Sequence, residues 1–206
     1  MPSAASGLKT RQALIDVARG FLGQGNSDVT IQEIAQAADV SVGSVYTYFK
    51  DKRALFDVAA AEALMSTTPR LQEVVDGLAD PGKGFLAAML FACRRPSFDP
   101  ETARIILTVG PLGFASFDEY FEGPITAINA SIAMGLAHCD DVEAFVIAAS
   151  GAYQNVLAHM YAGTASYELG ERVLWGMAQQ LGYSREDYDE IVAYVASIPV
   201  NPDAIG

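Results

Sequence analysis

Residues 31–48 read I-Q-E-I-A-Q-A-A-D-V-S-V-G-S-V-Y-T-Y, from Ile31 to Tyr48. Apolar positions here recur at helical spacing, and three residues, Ala38-Asp39-Val40, interrupt them. Two short helices are therefore predicted, at about 30–37 and 41–48, with the loop length of a helix-turn-helix. Thr30-Ile-Gln-Glu33 has the pattern of a capping box, in which hydroxyl and carboxylate satisfy orphan N–H groups at a helix start. Val29 and Ile34 occupy the flanking staple positions, and Ser41 is a good cap for the second helix. Ile34 and Ala35 face inward, and Ala35 is small enough for a close helix crossing. Val40 and Val45 lock the turn and the second helix onto the first. That leaves Ser41, Gly43, Ser44 and Thr47 outward, with Val42, Tyr46 and Tyr48.

Working outward, Leu14, Val17, Ala18 and Phe21 define an earlier helix at about 8–23, which Gly23 and Gly25 end. Asp51 caps a helix that runs toward Leu78, with a bend or break expected at Thr68-Pro69. Asp80-Pro81 and Asp99-Pro100 each place a cap before a first-turn proline, so helices are predicted to start there. Another covers about 114–137 and holds Pro124, which should kink or split it. Asp140 with Glu143 is predicted to cap a long helix reaching Ala162. Two more follow at about 167–181 and 184–197, and Pro199–Gly206 reads as irregular. Strand signals are nearly absent, so the expected fold is all-α, with nine or ten helices.

Composition narrows the function. The 206 residues are 51% hydrophobic and 18% charged, which is too apolar for disorder. The longest uninterrupted apolar run, Phe85–Cys93, is far short of the ~20 residues a membrane-spanning helix needs, so no membrane partner is expected. No secretory leader is apparent in the first residues. The only cysteines, Cys93 and Cys139, read best as reduced thiols, and the expected location is the cytoplasm. His138 and His159 are too few and too far apart for a zinc signature, so no metal and no cofactor is predicted. The net charge is −12, yet residues 1–53 hold six basic and five acidic groups, a balance of +1. The acidic remainder should repel nucleic acid, so such a partner would be met by the first quarter of the chain.

The helix at 41–48 then has two readings. It can enter a DNA major groove, with Ser44 and Thr47 bonding to base edges or phosphates and Val42 touching a thymine methyl. Gly43 would allow close backbone approach, while Tyr46, Tyr48, Lys52 and the helix start at Thr30 would meet phosphates. Alternatively, the segment is a plain helical hairpin whose tyrosines are core and whose serines are caps. No Arg, Asn or Gln lies on the outward face, so bidentate base contacts are missing from it. Gln32 and Gln36 of the preceding helix, and DNA shape, could add specificity.

The longer run T-I-Q-E-I-A-Q-A-A-D-V-S-V-G-S-V-Y-T-Y-F-K-D-K-R-A-L, Thr30 to Leu55, closely resembles the DNA-binding domain of the tetracycline-repressor (TetR-like) transcriptional regulators. The resemblance reaches back through Arg11, Leu14, Ile15, Ala18 and Phe21, and covers about the first 60 residues. It implies a helix-turn-helix domain at 1–53 and a helical ligand-binding and dimerisation domain at 54–206. Thr30, Ser41, Val42, Gly43, Ser44, Tyr46, Thr47, Tyr48 and Lys52 then occupy DNA-contact positions, with Lys9 and Arg11 adding contacts. The implied protein is a ligand-responsive regulator, most often a repressor. Its implied partners are a palindromic double-stranded DNA operator, a small-molecule effector and a second copy of itself. One departure is Asp39, at a turn position usually held by glycine; aspartate visits left-handed backbone better than most residues.

For the second domain the candidate ligand-binding residues are Phe85, Met89, Phe117, Phe121, Tyr153, Asn155, His159 and Trp175. Plain core packing explains each aromatic equally well. Asn155 and His159 share a helical face, where a ligand, a dimer partner or a water could satisfy them. Ala148, Ala149, Gly151 and Ala152 would let a partner helix approach closely. No catalytic residues are predicted, because no nucleophile–base constellation, phosphate loop or metal spacing is present. The alternative is a helical small-molecule-binding protein or enzyme without DNA function.

Overall fold

The structure, a computed structural model, describes residues 4–114 and 118–200, with side chains described over 6–110 and 121–200. The described residues are all-α: they form twelve helices and no strand. They divide into two compact units. Unit 1 is residues 1–66 with 101–116, and unit 2 is residues 67–100 with 117–206. Unit 1 thus takes in more than the 1–53 segment that resembles a DNA-binding domain.

Unit 1 contains α1 (Ala4–Gly23), α2 (Ile31–Ala37), α3 (Val42–Tyr48), α4 (Lys52–Met65) and α8 (Pro100–Phe114). Its core is the inward stripe of each helix. Leu14, Ile15, Ala18 and Leu22 come from α1, Ile31, Ile34 and Ala35 from α2, Val45 from α3, and Leu55, Phe56, Ala59 and Ala60 from α4; all are buried. α1 packs along α4, and α2 on both α1 and α3. α8 secures the end of α1: Arg104 donates to the Gln24 carbonyl at 3.1 Å, Thr108 to the Leu22 carbonyl at 3.3 Å, and Arg19 pairs with Glu101. Within α8 the backbone at Gly110 is left-handed (φ 60), a break that the sequence reading did not include.

Unit 2 contains α5 (Thr68–Asp76), α6 (Pro81–Ala92), α7 (Arg95–Phe98), α9 (Asp118–Ala133), α10 (Val142–Tyr161), α11 (Tyr167–Gln180) and α12 (Arg185–Ser197). α6 lies at its centre, packed against α5, α9, α11 and α12. Apart from Lys83 in its first turn it is apolar around its circumference, which is the pattern of a helix surrounded by protein. Its glycines permit that. A Cβ on Gly84 would stand 2.4 Å from the Val75 carbonyl oxygen of α5. The N-cap of α6, Asp80, is buried and accepts from the Gly82 amide at 2.9 Å, Ser131 at 2.5 Å and Tyr183 at 2.9 Å. Burial raises the Tyr183 phenol above its ordinary value.

The break expected at Thr68-Pro69 is present: the stretch from Asp51 to Leu78 is two helices, α4 and α5, divided just before these residues. Other expectations are corrected. α9 continues through Pro124 without splitting. The cap of α10 is Asp141, not Asp140: only Asp141 stands three residues before Ala144, whose amide its carboxylate accepts at 3.0 Å. α7 was not expected. Of the tail, residues 201–206 lie outside the described residues. Among the described residues Cys93 and Cys139 are unpaired, and burial pushes the Cys93 thiol up to about 12.

Two tests follow from unit 2. Gly84→Ala should destabilise by about 1–3 kcal/mol in urea unfolding, because backbone cannot yield to the new methyl. Gly176→Ala, in α11 with nothing within 4 Å, should instead gain up to about 1 kcal/mol. The second test concerns acid. Lys83 binds Asp187 at 2.7 Å and Glu190 at 2.6 Å, and the Lys83 hydrogen bond, helped by Ser184, holds Asp187 down at about 2. A depressed carboxylate stabilises above its ordinary value of 3.8 and loses that contribution as pH falls toward about 2. Urea midpoints measured across this window should fall less steeply in Asp187→Asn than in the parent.

Candidate nucleic-acid interface

The α2–α3 segment is built from its caps inward. Thr30 caps α2: its hydroxyl accepts from the Glu33 amide at 3.2 Å, and its own amide donates to Glu33 Oε2 at 2.7 Å. The bond from the Thr30 amide, with that from its hydroxyl, holds the Glu33 carboxyl below its ordinary value. At the other end Val40 N–H reaches the Ala35 carbonyl (2.9 Å) and Asp39 N–H reaches Gln36 (3.2 Å). Those two bonds make a Schellman stop, which requires a left-handed residue after the C-cap. Asp39 fills that position with φ 53, among the described residues the only non-glycine at positive φ.

α3 follows at once. Ser41 accepts from the Ser44 amide at 3.1 Å, and the two serine hydroxyls are hydrogen-bonded to each other at 2.8 Å. Thr47 donates its hydroxyl proton to the Gly43 carbonyl at 3.0 Å. Val45 is fully buried and faces inward, while Tyr46 is 55% exposed. Thr30, Ser41, Gly43 and Thr47 are also exposed, and Val42, Ser44, Tyr48 and Lys52 are half-buried. All nine predicted contact residues thus lie in unit 1.

Two of them have neighbours the sequence did not reveal. The Tyr48 hydroxyl lies against Gly7, where an added Cβ would be 3.2 Å away. Lys52 donates to the carbonyls of Ser27 (2.9 Å) and Val29 (3.0 Å), tying α4 to the α1–α2 loop. Arg11, expected as an added DNA contact, lies over the Phe49 ring at 5.5 Å and pairs with Glu62 at 3.8 Å. The sequence did not reveal this pairing because it joins α1 to α4, far apart along the chain.

The predicted ligand residues do not form one cluster. Phe85 is in the core of unit 2, with Met89, Phe121 and Trp175 packed against it, and Tyr153 is buried beside Arg95. Trp175 meets Tyr188 and the Arg185 guanidinium. Phe117 lies outside the described residues. Asn155 and His159 face outward, because the inward stripe of α10 is Phe145, Val146, Ala149, Tyr153, Val156 and Leu157. Asn155 donates to the Gly151 carbonyl of its own helix, and His159 bonds Thr164 beside an open depression at the α10–α11 turn. Of the four small residues offered for a partner helix, Ala149 is buried in the core. Sequence reasoning missed a buried ion pair, Arg95 to Asp99 at 3.0 Å, with the Tyr153 hydroxyl against Arg95. The i,i+4 spacing of these two opposite charges was the available signal.

The turn gives a direct test. Asp39→Val should cost about 1–2 kcal/mol, the penalty for a branched side chain in left-handed backbone, whereas Asp39→Gly should cost nothing. Thermal unfolding of the two variants checks this.

Residues 14–65 match the family model of the bacterial regulatory proteins, tetR family. Over 49 residues the chain is 51% identical to the HTH-type transcriptional regulator AcrR of Shigella flexneri, covering 23% of this chain and 23% of that protein. Over 54 residues it is 44% identical to the probable acrEF/envCD operon repressor of Escherichia coli K12, covering 26% of this chain and 24% of that one. The matched stretch thus spans about a quarter of these relatives. The whole fold is similar to that of RolR in complex with resorcinol, with TM-score 0.73 at 20% identity over 96% of this chain and 98% of that one. It is also similar to FadR from Bacillus subtilis in complex with stearoyl-CoA, with TM-score 0.62 at 18% identity over 82% and 98%. The match falls on the helix-turn-helix whose caps and turn are all in place: residues 14–65 form a domain of the tetR family of bacterial regulatory proteins.

Proposed function

We propose that this protein is a ligand-responsive repressor in the cytoplasm: a homodimer that binds a palindromic double-stranded DNA operator and is released by a small molecule. The observation that carries the reading is the outward face of α3, which holds polar and aromatic groups exposed on a firmly capped helix-turn-helix. In the proposed complex α3 enters the major groove while α2 crosses the backbone. Tyr46, Tyr48, Thr30 and Lys52 meet phosphates, and Ser41, Val42, Gly43, Ser44 and Thr47 meet bases or closely packed backbone. Lys52 has a third N–H to offer, since an ammonium carries three donors and two are taken by carbonyls.

One α3 of seven residues makes too few contacts for specific binding, so two copies related by a two-fold axis are needed. The outward face of α10 suits that pairing. Ile147 is 57% exposed there, among Ala144, Ala148, Gly151 and Ala158. Asn155 and His159 lie on this side and belong to the dimer contact in this reading. The effector would bind in the second domain near Phe85, Met89, Phe121 and Tyr153, with Phe117 and Trp175 as further candidates. That RolR and FadR are known as complexes with resorcinol and stearoyl-CoA supports a ligand role for a fold of this kind. The reading keeps 1–53 as the DNA-binding part and 54–206 as the regulatory part.

Sedimentation and fluorescence anisotropy test this together. The protein should sediment as a dimer at micromolar concentration and bind a selected palindrome. Tyr46→Ala should weaken selected and unrelated duplexes by a similar factor, about tenfold or more for one lost charge-assisted hydrogen bond. A monomer, or unchanged DNA affinity in Tyr46→Ala, overturns the proposal.

A further inference from the structure

The bonding inside α3 restricts which bases it can read, and this inference rests on the DNA-binding reading above. In the major groove guanine presents two acceptors, N7 and O6, and is read by paired donors. Residues 41–48 contain no Arg, Lys, Asn or Gln. Their side-chain donors on the outward face are therefore single hydroxyl protons, never a bidentate pair on one side chain, and bonds within the helix take those of Thr47 and of one serine. The Thr47 proton goes to the Gly43 carbonyl, leaving its lone pairs and its methyl. One proton of the Ser41–Ser44 pair lies between the two oxygens, and Ser41 Oγ also accepts from the Ser44 amide. The Tyr46 phenol is assigned to phosphate. Lys50 and Lys52 follow the C-terminal end of α3, away from the end that enters the groove first. Gln32 and Gln36, both exposed, are on α2, the helix that crosses the backbone.

What α3 offers outward is thus methyl groups, acceptor lone pairs and isolated hydroxyl donors, with no bidentate donor for guanine. The lone pairs can accept from the amino group of adenine or of cytosine, and the methyls match the thymine C5-methyl, which is the contact that singles out A·T pairs. We propose that the operator half-site under α3 is A·T-rich, and that Val42 and Thr47 are its specificity-determining residues, reading thymine methyls. Thr47 and the serine pair accept from adenine amino groups.

The experiment selects duplexes from a random pool with the full chain, then modifies the selected operator one atom group at a time. Replacing a thymine by uracil removes only its methyl. At one or two thymines in each half-site this should weaken binding about fourfold, the worth of one buried methyl-sized group. The penalty should vanish at one of them in Thr47→Ser, which keeps the hydroxyl and deletes the methyl, or in Val42→Ala. A merely structural role for either residue would leave the thymine–uracil ratio unchanged. Replacing guanines by 7-deazaguanine should have no effect. A selected core of guanines whose N7 atoms are required, or no uracil penalty at any position, overturns the inference while leaving DNA binding intact. Failure to enrich any duplex overturns the DNA-binding reading itself, and the inference falls with it.

Discussion

A left-handed residue sits between two helices that are each too short to hold a direction of their own. Seven-residue helices are unstable in isolation, so α2 and α3 take their geometry from what joins them. The join is the pair of hydrogen bonds that folds the chain back over the end of α2, and it closes only when Asp39 adopts φ 53. Val40 then starts the reversal and Ser41 caps the next helix. The side of α3 that buries Val45 is decided there, and with it the side that shows Ser41, Gly43, Tyr46 and Thr47. Lys52 and Arg11 brace this arrangement from outside, one through loop carbonyls and the other through Glu62 and Phe49.

Local chemistry made most of this legible before any coordinates. A capping box, an N-cap serine and aspartate–proline helix starts act over three or four residues, and the sequence displays them intact. The all-α class followed from the same signals. The caps at Thr30, Ser41, Asp51 and Asp80 all accept amides as expected, and Asp39 takes the backbone conformation its residue type tolerates. Asp140 failed as a cap only because an equally good aspartate follows it.

Long-range pairings were not legible. Nothing about Lys83 alone reveals Asp187, and nothing about Asp80 reveals Tyr183. α10 shows why. It is apolar or small around much of its circumference, so periodicity does not say which side is the core. Asn155 and His159 seemed to interrupt an inner face, and they mark the outer one. The buried polar groups of unit 2 include Thr67, Asp80, Arg95, Asp99, Ser131 and Gln154. A charge sealed in a core survives only with its partner beside it, so pairs at helical spacing are a better guide than single polar residues.

Unit 1 is discontinuous in sequence, and that has a consequence for how it comes to exist. The carbonyls that end α1, at Leu22 and Gln24, find donors on α8, some eighty residues later. During synthesis the helix-turn-helix leaves the ribosome long before these donors do, and α5, α6 and α7 emerge in between. The head therefore spends the intervening interval as an unfinished assembly, without the α8 bonds at the end of α1. Its full stability arrives only when the chain has already begun the other unit, so the maturation of one half is timed by the translation of the other.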